Sequence, residues 1–118
     1  MIQGRYSCTV GADKRCTIPL PWRVAFGRHV VVTVNLWDAG LWLWPVAAWR
    51  AELATSELPT FEPGMMMVRR LLVSETIVPV DGRGRIALRM AHCVGLSGIA
   101  VLRGENSKAS LVNDALRQ

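Results

Sequence analysis

The chain has 118 residues, of which 51% are hydrophobic and 19% charged, and its formal net charge is +5. That length fits one compact domain able to bury its core without a disulfide or a metal, and the composition excludes an intrinsically disordered chain. No apolar run approaches the roughly 18 residues of a membrane span, and the opening Met1-Ile2-Gln3-Gly4-Arg5 lacks the apolar stretch of a signal peptide, so a cytoplasmic protein with no membrane partner is expected.

From the amino terminus, residues 7–10 are β-rich. A tight polar turn at Gly11-Ala12-Asp13-Lys14 leads through Arg15 into a second β-rich run over 16–18. Residues 20–26 form a short helix candidate closed by Gly27. A strong strand follows over 30–36, then a turn at Asp38-Ala39-Gly40 and another strand over 41–44. In that strand Trp42 and Trp44 share one face and Leu41 and Leu43 the other. Both faces are apolar, which a buried core and a subunit contact each explain. Pro45 suits a helix start, and Val46, Trp49, Leu53 and Leu58 keep near-helical spacing. Pro59, Pro63 and Gly64 punctuate a loop, and residues 65–73 resume as a helix with Met66, Val68, Leu71 and Leu72 available for burial.

From Ile77 the opening pattern returns. The run Ile77-Val78-Pro79-Val80 meets the turn Asp81-Gly82-Arg83-Gly84, then Arg85, then Ile86-Ala87-Leu88, so that Arg15 and Arg85 stand 70 positions apart. A helix candidate over 89–94, a glycine-bounded turn over 95–98 and strands over 99–102 and 109–112 follow in the same order, with Gly104-Glu105-Asn106 between the last two. The tail over 113–118 starts like a helix, with Asn113 as cap and Asp114 at the positive end of the dipole. The expected fold is mixed and β-rich with short helices (α+β): a first half with its following helix over 1–58, and a linker helix with the second half over 59–118. Neither half has enough core alone, so the two pack as one domain.

The second turn carries the most chemistry. The Asp81 carboxylate accepts the amides that follow it, Gly82 and Gly84 permit left-handed backbone, and Arg83 and Arg85 project from the tip. A two-stranded element tipped with arginine enters a DNA groove or grips phosphate. Taken alone, the turn reads first as an ordinary charged hairpin. Twelve of the fourteen basic residues are arginine, whose planar fork suits phosphate and guanine, although a solvated basic surface also accounts for the charge. Other chemistry finds no support. Cys8, Cys16 and Cys93 form no paired motif, although Cys8 and Cys16 are placed to meet across a hairpin; both read as small apolar fillers. His29 and His92 have no metal-ligand spacing, the serines lie in no nucleophile elbow, and Gly82-Arg83-Gly84 is too short for a dinucleotide loop. No enzyme, metal or cofactor is expected.

The turn with its flanking strands resembles the Asp-x-x-Gly-Arg motif of the AbrB-like swapped-hairpin fold, and two copies in one chain resemble the MraZ family of bacterial transcriptional regulators. The resemblance spans nearly the whole chain: Arg5, Arg15-Cys16-Thr17-Ile18-Pro19, Leu41-Trp42-Leu43-Trp44-Pro45 followed by Trp49, and Val68-Arg69-Arg70-Leu71-Leu72. It implies two tandem swapped-hairpin units closing into one pseudo-twofold β-barrel. It also implies that the paired turns contact double-stranded DNA and that several subunits form a ring over repeated sites, in a nucleoid-associated protein. By position, Asp81, Gly84 and Arg85 match the second motif and Arg15 the arginine of the first, with Arg83, Lys14 and Arg5 as further DNA-binding candidates and Gly82 as a turn-shaping residue. The first turn departs from the motif: Gly11 stands at the aspartate position and Lys14 at the glycine position. Asp13 either substitutes for the missing carboxylate or partly neutralises Lys14 and Arg15. These departures, with a tail shorter than the family's, give a second expectation: an interaction protein that associates with or blocks a related MraZ-type regulator and binds DNA weakly itself.

Overall fold

Alternation of buried and exposed residues sets the first strands in the computed structural model, which describes residues 2–35, 40–55, 75–88 and 98–113. Strand β1 (Arg5–Val10) buries Cys8 and Val10 and exposes Ser7 and Thr9, and β2 (Arg15–Thr17) buries Cys16 between two exposed neighbours. The helix expected over 20–26 is a 3-10 turn (Leu20–Trp22) running into α1 (Arg23–Phe26), which closes on Gly27. Strands β3 (His29–Val34) and β4 (Leu41–Pro45) follow, then α2 (Val46–Thr55), which starts directly after Pro45 as expected. The second half repeats the order as β5 (Thr76–Pro79), β6 (Arg85–Ala87), β7 (Gly98–Gly104) and β8 (Ala109–Asn113). The expected helices over 65–73 and 89–94, and the tail from Asp114, lie outside the described residues.

Six strands form one antiparallel sheet in the order β1-β7-β8-β4-β3-β5, while β2 and β6 pair separately. Exchanging β1–β4 for β5–β8 turns that order into its own reverse, so the strand order has a pseudo-twofold axis. The register agrees residue by residue. Cys16 faces Ile86, its counterpart 70 positions later, and Trp42 faces Ser110, its counterpart 68 positions later. The offset drops because the β7–β8 connection is two residues shorter than the β3–β4 one: Ala100 pairs with Asn113 where Val30 pairs with Pro45. Each half therefore lends its first two strands to the other, with β1 on β7, β5 on β3 and β2 on β6. Among the described strands, hydrogen bonding leaves β1 and β5 as the two ends of an open sheet, without closure into a barrel.

One face of the sheet and the β2–β6 ribbon share the main core, in which Cys16, Ile18, Trp22, Val30, Leu43, Ile86 and Leu111 are almost fully buried. The opposite face has a smaller core of Val31, Trp42, Trp44 and Trp49, the last supplied by α2. Strand β4 is thus buried on both faces within one chain, as its sequence requires. The Trp44 indole donates to Thr33 Oγ1 at 3.0 Å, and the Lys108 ammonium lies 5.1 and 5.0 Å from the centres of the Trp42 and Trp44 rings.

The two turns keep the pseudo-symmetry in their backbone but not in their residues. Lys14 and its counterpart Gly84 both adopt left-handed backbone, at φ 55 and φ 77. A Cβ forces strain there of about 1–2 kcal/mol, which Lys14 bears and Gly84 avoids. Chemical denaturation is therefore expected to show Lys14→Gly as neutral or stabilising by up to about 1 kcal/mol, and Gly84→Ala as destabilising by about 1–2 kcal/mol.

Candidate nucleic-acid interface

The second turn is held by one carboxylate. Asp81 Oδ1 accepts the Arg83 amide at 2.8 Å and the Arg85 amide at 2.9 Å. The backbone closes the same loop, with the Gly84 amide donating to Asp81 O and the Asp81 amide to Arg85 O, each at 2.9 Å. Asp81 Oδ2 accepts the Nε of Arg85 at 3.2 Å and the Nη1 of Arg15, from the first turn, at 3.0 Å. The Arg85 amide is the strongest influence holding the Asp81 carboxyl below its ordinary value, with the Arg83 amide and the Arg85 charge adding to it.

The first turn has a weaker version of this arrangement. The Lys14 amide donates to Gly11 O at 3.0 Å. With glycine at position 11, no side chain occupies the place that Asp81 takes in the second turn. Asp13 substitutes in part, its Oδ1 accepting the Arg15 amide at 3.3 Å, and its Oδ2 lies 4.0 Å from Arg15 Nε. Asp13 thus stands in part for the missing carboxylate and also lies within ion-pair distance of Arg15. The stronger partner of the Arg15 guanidinium is Asp81, across the pseudo-twofold axis.

Backbone bonds tie each turn to the residue just past the far end of the other half's strand. The Ile18 amide donates to Gly84 O and the Leu88 amide to Lys14 O, both at 2.8 Å and related by the repeat. Arg23, on α1, braces the second turn from beneath. Its Nε donates to Ile18 O at 3.1 Å and its Nη2 to Arg83 O at 3.4 Å. Gly84 is buried against that guanidinium, so a Cβ there would collide with it.

Lys14 and Arg15 thus stand at one end of the short β2–β6 ribbon and Arg83 and Arg85 at the other, linked by the Arg15–Asp81 pair. Gly82 and Arg83 are exposed at the tip of the second turn, and among the described residues the Arg83 guanidinium has no bonding partner. Arg15 and Arg85 are partly exposed, at 42% and 31% of their side chains, and are drawn onto Asp81 rather than projecting freely. Arg5 is not brought to this group. It opens β1 in register with Arg103, roughly 16 Å along the strand from the first turn. Sequence reasoning missed Arg23 and the double role of Asp81, because both act across 60 or more positions. The signal available was the absent aspartate at position 11, which leaves Arg15 without the carboxylate that Arg85 has at the matching place.

Cys8 and Cys16 do meet, with their sulfurs 3.4 Å apart in the core. Exposed His29 lies on β3, while Trp37, His92 and Cys93 fall outside the described residues. No helix among the described residues is long and apolar enough to cross a membrane.

No protein-family model matches the chain. A transcriptional regulator MraZ of Stenotrophomonas maltophilia is 30% identical over 120 residues, an alignment covering 94% of this chain and 81% of that protein. The chain belongs to the MraZ family of transcriptional regulators. The MraZ proteins of Herpetosiphon aurantiacus and of a Marinomonas species are 31% and 33% identical over 112 and 94 residues, covering 91% and 75% of this chain and 77% and 62% of theirs. Such values mark a divergent member, consistent with a first turn that has lost two motif residues. At family level the chain is a transcriptional regulator, and these relatives are named as regulators rather than as enzymes.

The lowered Asp81 pKa fixes a pH dependence. A carboxyl with a depressed folded value adds stability that is present above its ordinary value of 3.8 and lost as pH falls through the lower folded value. Melting curves of the parent chain and Asp81→Asn should therefore differ most near neutrality, with the gap shrinking below about pH 4. A gap that stays constant down to pH 3 contradicts the assignment.

Proposed function

We propose that this MraZ-family chain binds double-stranded DNA through its paired turns and regulates transcription as a homo-oligomeric ring in the cytoplasm, associated with the nucleoid. The observation that carries this reading is the linking of the two turns, one from each half, by the Asp81 carboxylate across a short ribbon to whose ends both are bonded. Exposed Arg83 is suited to a guanine edge or a phosphate. Arg85 engages Asp81 through Nε and Arg15 through one Nη, so each keeps further donors pointing elsewhere. Lys14 adds a point charge, and Arg5 is an outlying contact. The tandem halves correspond to two swapped-hairpin units of a single barrel, and a ring of such chains places several turn pairs along one duplex, where linked contacts raise avidity.

A second reading has its own support. The first turn lacks the aspartate and glycine of the motif, and Arg15 serves as a tether to Asp81. A chain with one well-formed turn fits a protein that joins or blocks a related MraZ-type regulator while binding DNA weakly.

Titration of duplexes carrying arrayed sites against salt tests the first reading. Affinity should fall with a log–log slope of about −0.9 per phosphate neutralised. Arg83→Ala, which leaves the Asp81 bonds in place, should weaken binding by roughly tenfold, within the range of one good base contact. No binding at low salt, together with capture of a related regulator at micromolar concentration, favours the second reading.

A further inference from the structure

We propose that Cys8 and Cys16 form a reversible oxidation site, at which a small two-electron oxidant of the peroxide class closes a disulfide that ties β1 to β2 beneath the first turn. The sulfurs already lie 3.4 Å apart, on residues eight positions from each other, and need to approach to about 2.05 Å. They flank the turn that has glycine where the second turn has Asp81, so the bond would supply a restraint in place of that carboxylate.

The repeat separates this role from simple core filling. The counterparts of Cys8 and Cys16 in the second half are Val78 and Ile86, both buried in the same core. Packing at these positions is met by aliphatic side chains, so the core does not call for two sulfurs in contact. The environment also divides the labour. The contact between the two thiols lowers the Cys8 pKa and raises that of Cys16, and burial raises the latter further. Cys8 is also the better exposed, at 8% against 0%. Cys8 is therefore the attacking thiolate. Its sulfur displaces one oxygen of the peroxide, giving a sulfenic acid and one molecule of water (an alcohol, from an alkyl peroxide). The Cys16 sulfur then attacks the Cys8 sulfur, expelling the second oxygen as water. Two thiols are oxidised and one peroxide is reduced, and an external dithiol reverses the bond by exchange.

The test uses the full chain carrying Cys93→Ala, treated with hydrogen peroxide and then with dithiothreitol. The intact mass should fall by two hydrogens, peptide mapping should link Cys8 to Cys16, and the melting temperature should rise by roughly 5 °C or more, as expected for closing a short loop in a domain of this size. Dithiothreitol should reverse all three changes. In the same background Cys16→Ala should stop at a Cys8 sulfenic acid trapped by dimedone, and the paired substitution Cys8→Val with Cys16→Ile, copied from the second half, should show neither change. A map without the 8–16 link, or a link that leaves the melting temperature unchanged or lower, overturns the proposal. These readouts do not involve DNA, so they stand or fall apart from the proposed function.

Discussion

The candidate interface depends on one carboxylate serving two turns. Asp81 accepts four donors on two oxygens, three from its own turn and one from Arg15 in the other half. Each bond lies at the surface, where an isolated ion pair contributes little. Their value lies in convergence: the same group orders the backbone of one turn, orients its arginine and tethers the arginine of the other. Because Gly11 leaves the first turn without a carboxylate at the matching place, the tether runs one way, from the weaker turn to the stronger. The result is an asymmetric site on a pseudo-symmetric frame.

That frame explains why the two turns are within reach of one another. Strands β2 and β6 come from different halves yet pair antiparallel about the Cys16–Ile86 position, so each turn adjoins the far end of the other half's strand across a ribbon only three residues long. The six-stranded sheet beneath is symmetric about the Trp42–Ser110 position and is packed on both faces. Such a base resists deformation, since close-packed interiors transmit strain rather than absorb it. The turn tips therefore stand on a stiff support, with Arg23 as an added brace on one side only.

Much of this was legible in the sequence. The repeat with its 70-residue offset, the β4 strand apolar on both faces, and the helix starting after Pro45 follow from local pattern, and the structure has all three. Asp81 as the organiser of its own turn was legible too, because an aspartate before Gly-Arg-Gly has few other places to put its oxygens. What local pattern does not carry is the exchange of strands between halves in detail, since pairing partners there lie tens of residues apart. The Arg15–Asp81 tether, the Arg23 brace and the contact of the two cysteines all arise from that exchange or from the packing beneath it. Arg5, a DNA-contact candidate from its place near the start of the repeat, is set apart from the turns by the length of β1, which local pattern does not foretell.

Amide hydrogen exchange in Asp81→Ala tests the shared carboxylate most directly. The account predicts faster exchange at Arg83 and Arg85, which lose their acceptor, and also at Ile18 and Leu88, whose amides bond Gly84 and Lys14 of the two turns, while amides between β4 and β8 keep their protection. Acceleration confined to Arg83 and Arg85, with Ile18 and Leu88 unchanged, would mean that Asp81 orders only its own turn, and would contradict the account.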